Sequence, residues 1–275
     1  MRSFAFLCTL IILVLALLVS GCDPIAKLAK SKSIADKDSA AFQYYRKGKY
    51  DRAVYLLEEL SSYYRGTPRH RDVYYAYTQC KYKLGEFVMA AFYFNDFTRQ
   101  YPRDEKIEEM RYLEARSYYL LADPWYLDPT YTKKAIEIHQ LYLDAYPYSD
   151  NKVEATENLV ELRERLAKKS FEQAKLYYHL AYYKAGLTAF TSFLNTYPDS
   201  KFTDEAHFLQ LKSAFLLANA SAVDKKVGRY EEAFALYEKF ADNFSGSKFA
   251  KEAESLFVTA RKNLAKIKKV DSDAL

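Results

Sequence analysis

The chain has 275 residues, of which 27 are tyrosines and only seven each are glycine and proline. Its 41 basic and 36 acidic residues give a formal net charge of +5. That balance is typical of an ordinary solvated surface and argues against a nucleic-acid-binding protein, which would carry a basic stripe. The scarcity of helix breakers predicts a mostly helical chain. The many tyrosines indicate interfaces that are apolar on the ring and hydrated at the hydroxyl.

Residues 1–21 have the layout of a bacterial secretion signal. Arg2 supplies a positive start, and residues 4–19 form an apolar run that is short for a membrane-spanning helix. The run ends in Val-Ser-Gly before Cys22, an arrangement that resembles the lipobox cleaved by the lipoprotein signal peptidase. We therefore expect a mature chain that begins at Cys22 and is held at a membrane, outside the cytosol, by lipid on that cysteine. The alternative is a plain signal anchor in which Cys22 has no role.

The segment that follows the lipobox is expected to be a tether. Residues 22–36 are polar and rich in small side chains, so we interpret them as a lipidated link to a folded domain. Cys80 is then the only other cysteine of the mature chain, which rules out an internal disulfide after processing. We expect Cys80 to be a small buried apolar residue of a helix.

From residue 37 onward one sequence phrase recurs. It consists of glycine, any residue, an aromatic, two residues and alanine, and apolar residues follow that alanine at helical spacing. Gly48, Gly85 and Gly228 begin the three clear copies, and we expect each to lie in a turn because glycine adopts positive φ without strain. The small head residues of all five copies, two of them degenerate, are Ala53, Ala90, Ala135, Gly186 and Ala233.

Each phrase is preceded by a second helical segment, so each copy predicts a helix-turn-helix pair. Alanine, aromatic and proline in this arrangement are typical of tetratricopeptide repeats. The sequence thus predicts an all-α fold, a right-handed superhelix of about five tetratricopeptide-like pairs in one domain, 37–270, closed by a capping helix. The expected repeats are 37–66, 69–102, 105–147, 152–198 and 203–245, with the cap at 247–269.

No motif for catalysis or for a cofactor is evident, and we expect no enzymatic activity and no cofactor beyond the covalent lipid. Phosphate-binding glycine loops, nucleophile elbows and His-Glu-x-x-His are all missing from the sequence. The four histidines fall in different repeats without the spacing of metal ligands. We expect them to be surface or groove residues: His70, His139, His179 and His207.

Three tyrosines are candidates for a binding groove. Tyr45, Tyr75 and Tyr82 fall on the face of the first helices that would line the concave side of a repeat array. Aromatic rings with polar hydroxyls suit an extended apolar peptide. The alternative is that these rings only pack against the neighbouring helix.

With the repeats placed, the chain resembles the BamD family, the tetratricopeptide lipoproteins of the outer-membrane β-barrel assembly machinery. The resemblance covers nearly the whole mature chain. The segments that carry it are Leu127–Ala135, Tyr146–Ser149, Leu162–Lys169, Tyr177–Tyr178 and Tyr197–Ser200. Ordinary tetratricopeptide proteins lack the Asp-Pro insert, Asp123–Pro129, and the long helix that contains Leu-Arg-Glu-Arg-Leu-Ala.

The resemblance implies a function that residue spacing alone does not give. BamD-like proteins are scaffolds on the periplasmic face of the outer membrane that receive unfolded outer-membrane proteins. They pass these clients to a BamA-like β-barrel subunit and work beside other assembly lipoproteins. The resemblance implies client binding in residues 37–122 and partner docking in about 170–270. The alternative is another periplasmic tetratricopeptide lipoprotein, such as a coordinator of cell-wall synthesis. Asp23 departs from the expected pattern, since an aspartate after the lipidated cysteine favours inner-membrane retention in enteric bacteria.

Overall fold

The computed structural model describes Ile25, Leu28 and residues 30–273. Cys22 and its lipobox lie outside these residues. The described part of the chain forms eleven helices and contains no strand. The helices are α1 Ile34–Arg46, α2 Tyr50–Tyr63, α3 Arg69–Lys83, α4 Phe87–Gln100, α5 Ile107–Leu121, α6 Thr130–Ala145, α7 Lys152–His179, α8 Tyr183–Thr196, α9 Thr203–Asn219, α10 Val223–Asn243 and α11 Ala250–Asp273.

The fold is all-α, as the sequence predicts. The chain divides into two compact units, Met1–Leu121 and Ala122–Leu275. In unit 1 the consecutive helices α1 to α5 pack on one another in chain order, and in unit 2 the helices α6 to α11 do the same. Within a unit, the first helices of successive pairs also touch, as α1 does with α3 and α7 with α9. This is the local, neighbour-to-neighbour packing of a helix-pair repeat.

The small head residue of each phrase lies in a helix interface. All five are buried, and the four alanines among them are fully enclosed: Ala53, Ala90, Ala135, Gly186 and Ala233. The apolar positions that follow them supply large core side chains to the same interfaces, such as Phe94 and Phe97 in unit 1. Cys80 is also fully buried, as expected, and burial raises the pKa of its thiol to about 12.

The turns inside the pairs use glycine in two of the three predicted places. Gly48 and Gly85 have φ of 70° and 78°, so each ends the preceding helix in the left-handed conformation. The prediction for Gly228 is wrong, because α10 begins at Val223 and takes that glycine into its helix. Between α7 and α8 the left-handed position is held by Ala181, with φ of 59°.

The first helix begins earlier than the sequence suggested. Residues 22–36 are predicted as a tether, yet α1 begins at Ile34. Ser33 lies at its N-cap, and its hydroxyl accepts a hydrogen bond from the amide of Asp36 at 3.3 Å. A side-chain cap of this kind satisfies an amide that has no partner inside the helix, which explains the early start.

Ion pairs join the first helices of neighbouring pairs. In unit 1 the Arg69 guanidinium contacts Asp38 of α1 at 2.7 Å, and Arg71 contacts Asp104, just before α5, also at 2.7 Å. In unit 2 Lys175 of α7 pairs with Glu205 of α9 at 2.7 Å. Lys212 of α9 in turn pairs with Glu252 of α11 at 2.6 Å.

The last helix covers the end of unit 2. Along α11 the side chains of Ala253, Ala260 and Leu264 are buried. They pack against α9 and α10, where they join a core that contains Phe208, Phe215 and Phe240. An array of repeats needs such a helix, because its last pair would otherwise expose an apolar face.

Candidate functional site

The three candidate tyrosines lie in unit 1 and are all half-buried. Tyr45 belongs to the last turn of α1, and Tyr75 and Tyr82 belong to α3. Tyr75 and Tyr82 are seven residues apart, so they share one face of α3 two turns from each other. The edge of the Tyr45 ring faces Tyr50, with ring centroids 6.1 Å apart.

Tyr75 is linked to a carboxylate of the next first helix. Its hydroxyl donates a hydrogen bond to Glu109 Oε1 of α5 at 2.8 Å, and Gln79 Nε2 donates to the same oxygen at 3.1 Å. Burial, and then the Glu109 carboxylate, raise the pKa of the Tyr75 phenol. The phenol therefore stays protonated as a donor at neutral pH.

Tyr45 lies in the same electrostatic environment. Burial raises the pKa of its phenol to about 12, and the nearby Cys80, Tyr50 and Glu109 add to that rise. The structure thus brings Tyr45 and Tyr75 together around Glu109.

Tyr82 is linked to a cation instead. Arg116 of α5 donates through Nε to the Tyr82 hydroxyl at 2.9 Å, and through Nη1 to the Tyr112 hydroxyl at 3.1 Å. The edge of the Tyr82 ring packs on Phe87, with centroids 5.6 Å apart. The face therefore carries an acid, Glu109, near one end and a base, Arg116, near the other.

Sequence reasoning missed the partners of these hydroxyls. Tyr75 is 34 residues from Glu109, and Tyr82 is 34 residues from Arg116. This offset is one tetratricopeptide period, so aligning the first helices would have placed each pair together. The sequence suggested hydroxyls that are open to a ligand, but those of Tyr75 and Tyr82 already have a charged hydrogen-bond partner. A peptide at this face would have to share those hydrogen bonds.

The histidines do not all lie where the sequence placed them. His139 is fully buried, which contradicts the expectation of a surface or groove position, whereas His70 is buried but lines a cleft. Both sit on helix faces packed against neighbouring helices, where burial lowers the pKa of each imidazole. His179 is exposed and His207 is half-buried. Among the described residues no group of His, Cys, Asp and Glu is arranged to hold a metal ion.

The Asp-Pro insert of unit 2 is fixed by the long helix α7. Lys169 donates to the Leu127 carbonyl at 2.8 Å, and Arg165 donates to the Ala122 carbonyl at 2.8 Å. The ammonium group of Lys168 lies 4.6 Å from the centroid of the Trp125 ring. The two most distinctive segments of the sequence are therefore in direct contact, which gives a physical reason for both to occur in one chain.

Unit 2 also contains an apolar groove of about 970 Å³ along α8. Its floor consists of small side chains, because Ala185, Ala189 and Ser192 follow one another along the helix. Tyr182 and Leu217 border it. A surface of this size, with few polar groups, is suited to an apolar element of a partner.

A family described as "YfiO: Outer membrane lipoprotein" matches residues 35–188 and 169–269 of the chain. The chain belongs to the YfiO family of outer membrane lipoproteins. Association with the outer membrane follows from that membership, and the predicted resemblance to the BamD family is confirmed.

One similar protein of this family comes from Aquifex aeolicus (strain VF5). It carries the name "Putative outer membrane protein assembly factor BamD" and is 26% identical over 217 residues, which cover 78% of this chain and 70% of that protein. In the part of the YfiO-family chain that the structure describes, no helix has the length and apolar character needed to cross a membrane.

Solved structures of tetratricopeptide proteins are similar only at a distance. The TPR2AB domain of yeast Sti1, in a pHSP90 complex, is 15% identical with a TM-score of 0.37. The alignment covers 83% of this YfiO-family chain and 98% of that one. The P58(IPK) TPR domain is 14% identical with a TM-score of 0.40, covering 88% of this chain and 68% of that one.

Proposed function

We propose that this protein is a non-catalytic, lipid-anchored scaffold of outer-membrane protein assembly. It binds unfolded outer-membrane proteins and docks on a BamA-like β-barrel subunit that folds and inserts them. The observation that supports this most is membership of the outer membrane lipoprotein family, together with a relative named as an assembly factor. The repeat fold adds support, because stacked helix pairs offer extended surfaces to other chains.

The client surface in this proposal is the face formed by Tyr45, Tyr75 and Tyr82 in unit 1. An unfolded client offers backbone amides and carbonyls along an extended segment. Glu109 and Arg116 present an acceptor and a donor beside the tyrosine rings, so both kinds of backbone group find a partner there. Binding is followed by release without chemical change, since many clients must pass the same surface.

The docking surface in this proposal lies in unit 2, within residues 170–270. The apolar groove along α8 falls in this region. Tyr182, which lines the groove, is exposed, as are Leu180 and Val223 elsewhere in this region. Interfaces that persist use apolar and aromatic side chains of this kind at their centre.

The anchor in this proposal is lipid on Cys22, on the periplasmic side of the outer membrane. Each buried methylene of an acyl chain contributes about 0.8 kcal/mol to membrane binding, and two or more chains make it stable. Anchoring confines the scaffold to the plane in which the β-barrel partner works. Other assembly lipoproteins would share that plane.

An affinity purification of the tagged, full-length lipoprotein from detergent-solubilised membranes tests the proposal. The expected result is a large β-barrel protein with periplasmic repeat domains, recovered in stoichiometric amount. Its reproducible absence, with cell-wall synthesis enzymes recovered in its place, would reject the proposal. That second outcome would favour a periplasmic tetratricopeptide lipoprotein that coordinates cell-wall synthesis.

A further inference from the structure

Unit 1 contains a polar cleft of about 590 Å³ between α2 and α4. Its floor is α3, where the rings of His70, Tyr74 and Tyr77 stand in a row. His70 and Tyr74 are stacked with centroids 5.2 Å apart, and Tyr74 and Tyr77 are stacked at 6.5 Å. The spacings of four and three residues place all three rings on one helix face.

The wall formed by α4 adds two further rings. The rings of Tyr93 and Tyr77 form a T-shaped contact with centroids 5.0 Å apart, and the rings of Phe92 and Tyr93 form another at 5.3 Å. The Phe92 side chain, which lines the cleft, is 56% exposed. A ligand in the cleft would therefore have the exposed Phe92 ring within reach, beside Tyr93.

The cleft is lined by two carboxylates and one guanidinium group. Glu58 of α2 and Asp96 of α4 line opposite walls, and Arg65 is the one cation among the lining residues. Asp96 accepts a hydrogen bond from the Tyr74 hydroxyl at 2.6 Å and is paired with Arg99 at 3.2 Å. Burial lowers the pKa of His70, so its imidazole is neutral at pH 7 and adds no positive charge.

The geometry points to a site for a cationic side chain, arginine or lysine, of an extended polypeptide. Aromatic faces attract cations through the negative potential above the ring, and a guanidinium or ammonium group between Phe92 and Glu58 would gain both that attraction and an ion pair. The structure already contains such a contact nearby, since Lys81 lies 5.5 Å from the centroid of the Tyr77 ring. The site rests on the cleft alone and is separate from the face proposed for clients.

Saturation-transfer NMR on the mature lipoprotein in detergent tests this inference. The probes are N-acetyl-arginine methylamide and its citrulline counterpart, which keeps the shape and loses the charge, each at about 5 mM because a single side chain binds weakly. We expect transfer to the arginine probe that is at least about threefold stronger than to citrulline, because only the cation gains the attraction of the rings and of Glu58.

Three variants locate the signal. Glu58→Gln and Phe92→Ala should each lower the arginine signal about threefold, since one removes the charge and the other the exposed ring. Glu232→Gln removes the same charge from an exposed position of α10 in unit 2 and should leave the signal unchanged.

The inference is overturned if arginine gives no signal, if citrulline matches it, or if Glu58→Gln and Phe92→Ala both retain it. A stronger signal from N-acetylglucosamine would also overturn it and would assign the cleft to a glycan. None of these outcomes depends on client binding at Tyr75 or on recovery of a β-barrel partner, so the proposed function is tested separately.

Discussion

Ala181 occupies a backbone conformation that suits glycine, between α7 and α8. Its amide donates to the Tyr178 carbonyl at 3.0 Å, as the amides of Gly48 and Gly85 do to Tyr45 and Tyr82. The three turns are thus the same motif, but only Ala181 carries a Cβ at positive φ. A non-glycine residue in this region costs about 1–2 kcal/mol. Unit 2 therefore contains local strain that unit 1 avoids.

Replacing Ala181 with glycine should stabilise the protein by about 0.5–1 kcal/mol, since the relief of strain exceeds the added chain entropy of glycine. The measurement is the midpoint of urea unfolding followed by far-ultraviolet circular dichroism. Ala220→Gly is the matched control, because Ala220 ends α9 at φ of −80° and has no strain to relieve. If the midpoint of Ala181→Gly is at or below that of the parent, the positive φ of Ala181 does not destabilise the protein.

Tyr45 and Tyr75 are the residues whose loss should weaken client binding. Tyr45→Ala or Tyr75→Ala removes a half-buried ring beside Glu109, so binding of a fluorescent peptide from an unfolded outer-membrane protein should fall by about tenfold. Circular dichroism should show unchanged helicity. Tyr75→Phe keeps the ring and loses only the hydroxyl, so it separates stacking from hydrogen bonding. Full binding by the double alanine variant would remove these residues from the client surface.

At the scale of elements, the insert and α7 form one structural piece. α7 has 28 residues, twice the length that a repeat helix needs, and the middle of the helix provides Arg165, Lys168 and Lys169 to hold the insert. The two carbonyls they bind belong to irregular backbone, which otherwise depends on water for its hydrogen bonds. The insert is therefore held in one conformation and presents Tyr126 and Leu127 to solvent.

The only tryptophan of the chain reports on this contact. Lys168→Met removes the cation above Trp125 while keeping most of the apolar stem, so the ring should loosen and acrylamide quenching of its fluorescence should rise by up to about twofold. Lys133→Met is the control, an exposed lysine of α6. Equal quenching in the parent and in Lys168→Met would show that the cation does not hold the ring.

The ion pairs between first helices make unit 1 sensitive to acid. The Arg71 guanidinium holds the pKa of Asp104 below its ordinary value, and Arg69 does the same for Asp38. A carboxyl whose pKa is lower in the folded than in the unfolded state stabilises the fold above its unfolded pKa. This contribution is lost as the pH falls through the folded pKa, below about pH 4.

Asp104→Asn should therefore lower stability at pH 7 by on the order of 1 kcal/mol and reduce the further loss between about pH 4 and 2. Thermal unfolding over that pH range measures both effects. Glu105→Gln is the control, because its side chain is 80% exposed and lies 3.7 Å from Arg71. A variant with the pH profile of the parent would show that the Arg71 pair contributes nothing.

At the scale of the whole molecule, each unit has its own apolar core. Unit 1 is centred on Leu57, Phe94 and Phe97, and unit 2 on Phe171, Phe193 and Phe240. The rings and head residues that fill them come from adjacent helices, so each core is assembled from contacts between near neighbours in the chain.

Attachment to the membrane should depend on one residue. Cys22→Ser removes the proposed site of lipid, so we expect the protein to fractionate with the soluble periplasmic contents instead of the outer membrane. Fractionation in high salt, which screens electrostatic binding, measures this. The wild-type chain, carried through the same steps, is the control. If the variant stays with membranes in high salt, the anchor lies elsewhere in the chain.

The local pattern of the sequence determined most of the fold. Small head residues and apolar steps at helical spacing are read within about 20 residues, and they predicted the all-helical fold and the turns at Gly48 and Gly85. The motifs from Leu127 onward also indicated the family. Gly228 was misread because the same phrase occurs inside a helix when the helix begins a few residues earlier.

The site depended on contacts that the sequence does not display. Tyr75 and Tyr82 could be placed on one helix face, but their hydrogen bonds to Glu109 and Arg116 join residues 34 apart. The burial of His70 between α2 and α4 likewise arises only when three helices meet. Helical periodicity fixes which way a side chain points, whereas the packing of neighbouring helices decides what it meets.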